Sequence, residues 1–191
     1  MKRRINHMKP GTLVYKGTTR KGTPIVIRYP KLSDASAFLK FINALSLERT
    51  FILAQGRKFS IKEEKAWLRK NIEDIKRKRT VLLSVFAGKE LIANASIDQE
   101  SDAVSLQGSF HIAVVKKFRD EGIGKLLTSI IIKKAKQNLK GLKIITLNVF
   151  VNNPVAMNLY KKFGFKKYGS LPKSVLHRRK YIDNDYMYKR I

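Results

Sequence analysis

Residues 114–125 read Val-Val-Lys-Lys-Phe-Arg-Asp-Glu-Gly-Ile-Gly-Lys, and this stretch decides how the rest of the chain is interpreted. An apolar run with the character of a strand ends here, a polar turn follows, and Gly122 and Gly124 begin a long helical pattern. The first amides of a helix have no partner inside it, and the helix dipole adds about half a positive charge there. Glycines let ligand oxygens approach that backbone closely. Gly122 and Gly124, with Arg119 and Lys125, therefore predict a seat for a pyrophosphate group.

Two better-known phosphate motifs are excluded by single residues. A dinucleotide fingerprint needs a third glycine at position 127, where the chain has Leu127. A P-loop needs a glycine at position 119 and a serine or threonine after Lys125, where the chain has Arg119 and Leu126. A turn that uses two glycines only to begin a helix is the alternative that the spacing leaves open.

Hydrophobic periodicity on both sides of the turn predicts one α/β domain without internal repeats. We divide the chain into a basic amino-terminal lead-in without regular structure, residues 1–22, and a domain at residues 23–191. The second helix begins at the capping box Ser60–Glu63 and should bury Trp67, Leu68, Ile72 and Ile75. In chain order the predicted elements are a strand at 24–29, a helix from Ser33-Asp34, a helix from Ser60, strands at 80–87, 90–97 and 103–115, a helix at 122–139, a strand at 144–151, a helix from Asn153-Pro154, and strands at 165–171 and 181–188.

Composition removes several classes of protein. The chain has 191 residues, is 43% hydrophobic and contains no cysteine, which excludes a disulfide scaffold, thiolate metal sites and a cysteine nucleophile. Its three histidines are not in a metal-ligand spacing, so we predict no metal. No apolar run approaches the roughly 20 residues of a membrane span, and Pro10 and Gly11 interrupt the place of a signal peptide's apolar stretch. We expect a cytoplasmic protein without a membrane partner.

The charge is the unusual feature of the composition. The chain has 41 Lys and Arg against 14 Asp and Glu, a formal net charge of +27. Between Gly122 and Ile182 there are 14 Lys and Arg and no acidic residue. Such a field attracts phosphates, nucleic acid or acidic protein. A solvated basic surface without a partner is the alternative.

Two motifs together resemble those of the GNAT N-acetyltransferase family. Arg119-x-x-Gly122-x-Gly124 after the strand resembles its acetyl-CoA motif, and Asn153-x-x-Ala156-x-x-Leu159-Tyr160-x-x-x-Gly164-Phe165 resembles its second signature. The resemblance covers roughly residues 23–190 and implies the GNAT fold: a single α/β domain whose mixed, mostly antiparallel sheet is flanked by helices. In that fold the strands ending near Val114 and Val149 splay apart. The stretch Arg179-Lys180-Tyr181-x-Asp183-x-x-x-Met187 further resembles members that acetylate small-molecule amines or protein amino termini.

The resemblance implies acetyl-CoA as co-substrate and a set of contacts to it. Backbone groups near the end of the strand would meet the pantetheine arm, the turn would bind the pyrophosphate mainly through its amides, and the second motif would contribute one polar side chain and one tyrosine. The residues are, in order, Ile112, Ala113 and Val114, then Arg119, Asp120, Glu121, Gly122, Ile123, Gly124 and Lys125, then Asn153 and Tyr160. A helix cap is the alternative role of Asn153, and a core aromatic that of Tyr160.

For catalysis, the resemblance implies that Tyr160 is the general acid that protonates the departing thiolate. In amino-terminal acetyltransferases of the family a glutamate base often occupies the position of Asn148, and some relatives have one at the position of Gly108. An amide cannot take a proton, so other groups must. The remaining candidates are His111, the acids Glu48, Asp98 and Asp183, and a water chain to solvent. Among side chains, an imidazole is the type best suited to accept a proton near neutral pH.

Three functions stay open at this point. The first is an N-acetyltransferase that passes acetyl directly to a primary amine of a small molecule or of a protein or peptide. The second is a basic nucleic-acid or ribosome-associated module, suggested by the clusters at 75–79 and 177–180. The third is a GNAT-like protein that binds CoA without catalysis. No motif identifies the acceptor, although a local acidic pocket formed by Glu48, Asp98 and Asp183 would favour an amine. The sequence is compatible with both a monomer and a homodimer.

Overall fold

One eight-stranded sheet runs through residues 8–191, the part of the chain that this computed structural model describes. The strands are β1 (Leu13–Thr18), β2 (Pro24–Arg28), β3 (Thr80–Ala87), β4 (Glu90–Gln99), β5 (Gln107–Val114), β6 (Ile144–Phe150), β7 (Lys166–His177) and β8 (Lys180–Arg190). The helices are α1 (Ala35–Leu47), α2 (Ile61–Lys76), α3 (Ile123–Asn138) and α4 (Pro154–Lys162).

The strand order across the sheet is β1-β2-β3-β4-β5-β6-β8-β7. Among these strands only β5 and β6 pair in parallel, because α3 carries the chain back between them. All other neighbours are antiparallel. This confirms the predicted α/β fold with a mixed, mostly antiparallel sheet flanked by helices.

The two faces of the sheet are covered by different helices. On one face, α3 buries Ile123, Leu127 and Ile131 and α4 buries Tyr160 against the main core. On the other face, α1 and α2 form a second core around Phe38, Phe41, Leu45 and Leu68, which meets Phe86 and Leu91 of the sheet.

The strand β1 corrects the prediction of an irregular lead-in. Leu13 to Thr18 lie within the segment predicted to lack regular structure, yet they pair antiparallel with β2. The segment is basic and contains Gly17, so its sequence has little strand character of its own. It forms a strand because it pairs with β2. Residues 1–7 of the predicted lead-in lie outside the described residues.

The second helix confirms its predicted start and corrects its buried stripe. Ser60 Oγ accepts from the Glu63 amide at 3.3 Å, and Glu63 Oε2 accepts from the Ser60 amide at 2.8 Å, so the capping box is present. Leu68 and Ile75 are fully buried. Trp67, predicted to be buried, is 41% exposed, because it lies at the rim of the helix face; its ring is tilted by 43° against that of Phe38, with 5.6 Å between the centroids.

The last hairpin is longer than predicted. β7 continues from Lys166 through an irregularity between Leu171 and Val175 to His177, and Arg178 and Arg179 form the turn with positive φ values of 50° and 67°. Pro172 lies at the irregularity, so the strand pattern breaks there although pairing resumes. Within residues 8–191, no helix combines the length and apolar character that crossing a bilayer requires.

Candidate active site

A split opens in the sheet between β5 and β6. The two strands pair only from Gln107–Ser109 to Ile144–Thr146, and both then continue without pairing to each other, to Val114 and Phe150. The Val115 amide donates to the Ile92 carbonyl of β4, and hydrogen-bonding direction alternates along a strand. Ile112 and Val114 therefore direct their backbone groups into the split, whereas Ala113 directs its own toward β4.

The turn after β5 leads to the open end of this split. Phe118 is buried and anchors a short 3₁₀ turn, after which Asp120 and Gly122 take left-handed φ values of 62° and 82°. Gly122 is the residue before the first turn of α3, and no side chain caps that helix end. The amides at 123–125 therefore have no intrahelical partner, which is the arrangement that binds anions.

Arg119 holds the turn in place with its side chain. Its guanidinium forms a bidentate ion pair with Glu48 at the end of α1, at 2.6 and 2.8 Å, and its Nε donates to the Val114 carbonyl at 3.1 Å. A further N–H donates to Thr50 Oγ1 at 3.3 Å. Because its guanidinium N–H groups already have partners, Arg119 offers a ligand its backbone rather than its side chain. Glu48 is held in the ion pair with Arg119 and is not free to act as a base.

The amino-terminal end of α3 packs against the second half of α4. A Cβ added to Gly124 would lie 3.6 Å from the Leu159 side chain of α4, so a larger side chain there would fill the space between the helices. Asn153 begins α4 as its cap, with Oδ1 accepting from the Ala156 amide at 3.1 Å. The cap role predicted as the alternative for Asn153 is therefore present.

Tyr160 lies below the split on the α4 side. Its ring is edge-on to Phe110 of β5, at 6.0 Å between centroids, and to Phe165, at 5.9 Å. The residue is 7% exposed, and burial raises the pKa of its phenol to about 12. The phenol is thus protonated at any physiological pH, as a proton donor must be.

His111 lies on the opposite face of the sheet from Tyr160. Because Phe110 packs on Tyr160 and successive strand residues point to opposite faces, His111 points toward α2. It is exposed and lines an open cavity of about 820 Å³ between α2 and the sheet. The structure therefore does not bring the two predicted catalytic residues together, and only a substrate that reaches through the split could contact both.

This cavity between α2 and the sheet, the α2 cavity, collects acidic side chains in a strongly basic protein. Asp74, Asp98, Glu100 and Asp102 line it together with the cations Lys70 and Arg79, and Lys70 Nζ lies 3.7 Å from Asp74 Oδ2. Asp98 is fixed by hydrogen bonds from Thr80 Oγ1 and Ser96 Oγ, at 2.9 and 2.7 Å. The predicted acidic pocket of Glu48, Asp98 and Asp183 is not formed, because Glu48 pairs with Arg119 and Asp183 accepts from the Lys173 amide at 2.8 Å. Within the described range, no cluster of three His, Asp or Glu side chains could hold a metal ion.

The comparison with known proteins agrees with this geometry. Residues 47–165 match the model of the Acetyltransferase (GNAT) family. The chain belongs to the GNAT family. The match covers the turn, α3, the split and α4, but it begins after β1 and β2.

Individual relatives of this GNAT chain are moderately to distantly similar. It is 30% identical to the L-amino acid N-acetyltransferase AaaT of Escherichia coli K12 over 99 residues, 51% of this chain and 60% of that protein's length. A GNAT acetyltransferase from Streptococcus pneumoniae is 26% identical, with a TM-score of 0.78 over 87% of this chain and 99% of that one. Salmonella typhimurium YncA, solved with its cofactor acetyl-CoA, is 17% identical, with a TM-score of 0.75 over 87% and 93%.

The loop after α1 is joined to the last hairpin by a residue whose role sequence reasoning missed. His177 is 3% exposed; its Nε2 donates to the Arg49 carbonyl at 3.0 Å and its Nδ1 accepts from the Asn152 side-chain Nδ2 at 3.1 Å. Its ring packs on Phe51 and Phe150, which ties the last hairpin to the loop after α1. His177 is therefore not part of an exposed basic cluster. The burial of His177 depends on Arg49, Phe51 and Phe150, which are distant in sequence, so no local pattern predicts it.

Proposed function

We propose that this chain is an acetyl-CoA-dependent N-acetyltransferase that passes acetyl directly to a primary amine. The split between β5 and β6 carries this proposal, because it opens beside the uncapped amides of α3 and joins the two faces of the sheet. Family membership supports the same activity, and a chain without cysteine fits a cytoplasmic location.

The residues present fit acetyl-CoA. The free amides at 123–125 suit a pyrophosphate, and Gly124 adds no side chain that would keep ligand oxygens from the first turn of α3. The backbone groups of Ile112 and the amide N–H of Val114, which face the split, suit the amides of the pantetheine arm, while the Val114 carbonyl accepts from Arg119. Asp120 and Glu121 would contribute only main-chain groups, since their carboxylates would repel phosphate.

When bound, acetyl-CoA supplies the acetyl thioester. The amine nitrogen attacks the carbonyl carbon, a bond from nitrogen to carbon forms, and the bond from carbon to sulfur breaks. Strand amides at the split polarise the carbonyl oxygen, and the Tyr160 hydroxyl gives its proton to the departing sulfur. An acceptor that arrives as an ammonium ion first gives one proton to His111 or water on the acceptor side, which frees the nitrogen to attack. The nitrogen loses a second proton to solvent as the amide forms, and Tyr160 regains from solvent the proton it gave. No covalent enzyme intermediate is required.

The acceptor would enter from the α1 and α2 face, where Asn148 is exposed and the α2 cavity opens. An amine is cationic before it reacts. The α2 cavity has four acidic side chains against the two cations Lys70 and Arg79, and this local excess of negative charge would attract the amine against the repulsive overall field. The E. coli relative, an L-amino acid N-acetyltransferase, supports the α-amine of an amino acid or peptide as the first acceptor class to examine.

The test is a screen of the purified chain with acetyl-CoA against amino acids, small amines and peptides, with release of free thiol as the readout. Gly124→Glu should abolish CoA binding, which we expect to be micromolar (about −8 kcal/mol), because it places a charged side chain between α3 and α4. Gly169→Glu is the matched control, since a side chain at Gly169 meets nothing within 4 Å.

The possible results separate the alternatives. Thiol release with an amine, lost in folded Gly124→Glu and kept in Gly169→Glu, supports the enzyme. CoA binding without turnover on any amine supports a non-catalytic CoA-binding protein instead. Equal CoA affinity in both folded variants contradicts the cofactor site.

A further inference from the structure

The turn between β1 and β2, residues 19–23, is docked on the amino-terminal end of α3. The Arg20 amide donates to the Glu121 carbonyl at 3.1 Å. Inside the turn, the Thr19 amide donates to the Thr23 carbonyl at 2.9 Å, and Thr19 Oγ1 accepts from the Thr23 amide at 3.2 Å. The turn is therefore an ordered structure fixed against the proposed pyrophosphate seat.

The two cations of this turn differ in their partners. Lys21 Nζ lies 3.9 Å from Glu121 Oε1, and this carboxylate is buried, so the charge of Lys21 is offset locally. Across residues 8–191, the Arg20 guanidinium has no ion pair or hydrogen bond to a side chain. Residues 1–7 contain no acidic residue that could supply one. Arg20 is thus the exposed cation of the turn whose charge is uncompensated.

The Arg20 side chain lies directly on Gly122. A Cβ added to Gly122 would be 3.0 Å from Arg20 Nε and 3.3 Å from Arg20 Cδ. Gly122 is the residue before α3. The Arg20 guanidinium, which starts at Nε beside Gly122, therefore lies within a few ångströms of the free amides at 123–125. A guanidinium presents paired N–H donors that match phosphate oxygens, and it stays charged at every physiological pH.

We propose that Arg20 is a phosphate-binding residue of the coenzyme A site, supplied by a strand pair that precedes the region matched by the family model. The proposal rests on the proposed function, since it assigns a further contact to the same cofactor. The shared chemistry is a phosphate dianion or diester next to α3, contributed either by the pyrophosphate or by the 3′-phosphate of CoA.

The test is calorimetric titration of the full chain with CoA and, separately, with 3′-dephospho-CoA. Arg20→Met keeps an aliphatic stem on Gly122 and removes the guanidinium, and Arg20→Lys keeps a charge. Lys16→Ala is the control, because Lys16 is an exposed cation of β1 whose loss changes the net charge equally. We expect Arg20→Met to weaken CoA binding about 10-fold, Arg20→Lys to restore part of it, and Lys16→Ala to stay within about 2-fold.

The two ligands assign the phosphate. A loss seen with CoA and absent with 3′-dephospho-CoA identifies the 3′-phosphate, and an equal loss with both identifies the pyrophosphate. If Arg20→Met, folded by its melting temperature, binds CoA as tightly as Lys16→Ala does, Arg20 is not a ligand residue and the proposal is overturned. If the unaltered chain fails to bind CoA, the proposed function itself has failed, which is a different result.

Discussion

Tyr160 combines two requirements of a proton donor in a single side chain. Its ring is packed between Phe110 and Phe165, which fixes where the hydroxyl can point. Burial raises its pKa to about 12, so deprotonation does not limit it in the range where enzymes of this kind work. The same burial would be expected of a purely structural aromatic, and therefore only removal of the hydroxyl separates the two roles.

We predict that Tyr160→Phe lowers kcat by roughly 10²–10⁴ while CoA affinity and melting temperature change little, because only the transition state loses a proton donor. Stopped-flow thiol release and calorimetry measure the two quantities. Tyr168→Phe, the same change at a tyrosine of β7 that is 59% exposed, is the control. Since the pKa is about 12, no loss of rate between pH 6 and 9 should trace to Tyr160. A near-normal kcat in folded Tyr160→Phe, with chemistry rate-limiting, removes Tyr160 from the mechanism.

At the scale of elements, the turn before α3 is held from two sides. Arg119 ties it to the carboxyl end of α1 through Glu48, and the turn at residues 19–23 contacts it through Glu121. The loop after α1 is in turn tied to the last hairpin by His177. The proposed cofactor seat and the last hairpin therefore share one set of anchors near the end of α1.

We predict that Glu48→Gln lowers the free energy of unfolding by about 1–2 kcal/mol, because it removes a partly buried bidentate ion pair and leaves Arg119 without a counterion. CoA affinity should fall with it, since the turn loses its anchor. Chemical denaturation and calorimetry provide the measurements. Glu73→Gln breaks an exposed pair with Arg77 and should cost no more than about 0.5 kcal/mol. If the two substitutions have equal effects on stability and CoA affinity, Glu48 is not an anchor.

The sequence predicts those elements whose signals are local. The capping box at Ser60, the apolar stripe of α3 and the turn at Gly122 depend on neighbours within a few residues, and the structure has each of them. Arg119 and Glu48 are 71 positions apart, and His177 and Arg49 are 128 apart, so no local pattern could pair them. β1 and the second half of β7 likewise become strands through their partners across the sheet.

At the scale of the whole molecule, exposed lysines occur on both α2 and α3, which cover opposite faces of the sheet. Cations outnumber acids by 41 to 14, and the lysines of α3 lie on its solvent face while its apolar residues face the core. Several acidic side chains that could offset this positive field form ion pairs, as Glu48 does with Arg119 and Asp185 with Lys167, and others line the α2 cavity. A positive field of this kind attracts any polyanion and cannot distinguish one nucleotide sequence from another.

We therefore predict that the protein binds single-stranded RNA weakly, without sequence preference, and that salt releases it. Fluorescence anisotropy with homopolymers at several salt concentrations should give a log–log slope of about −0.7 per phosphate neutralised. Removing Lys133 and Lys136 from α3, or Lys62 and Lys65 from α2, should reduce that slope equally, because all four lysines are exposed and the attraction is diffuse. A preference for one sequence, retention at high salt, or a much larger effect of one lysine pair would contradict this and identify a localised nucleic-acid surface beside the acetyltransferase site.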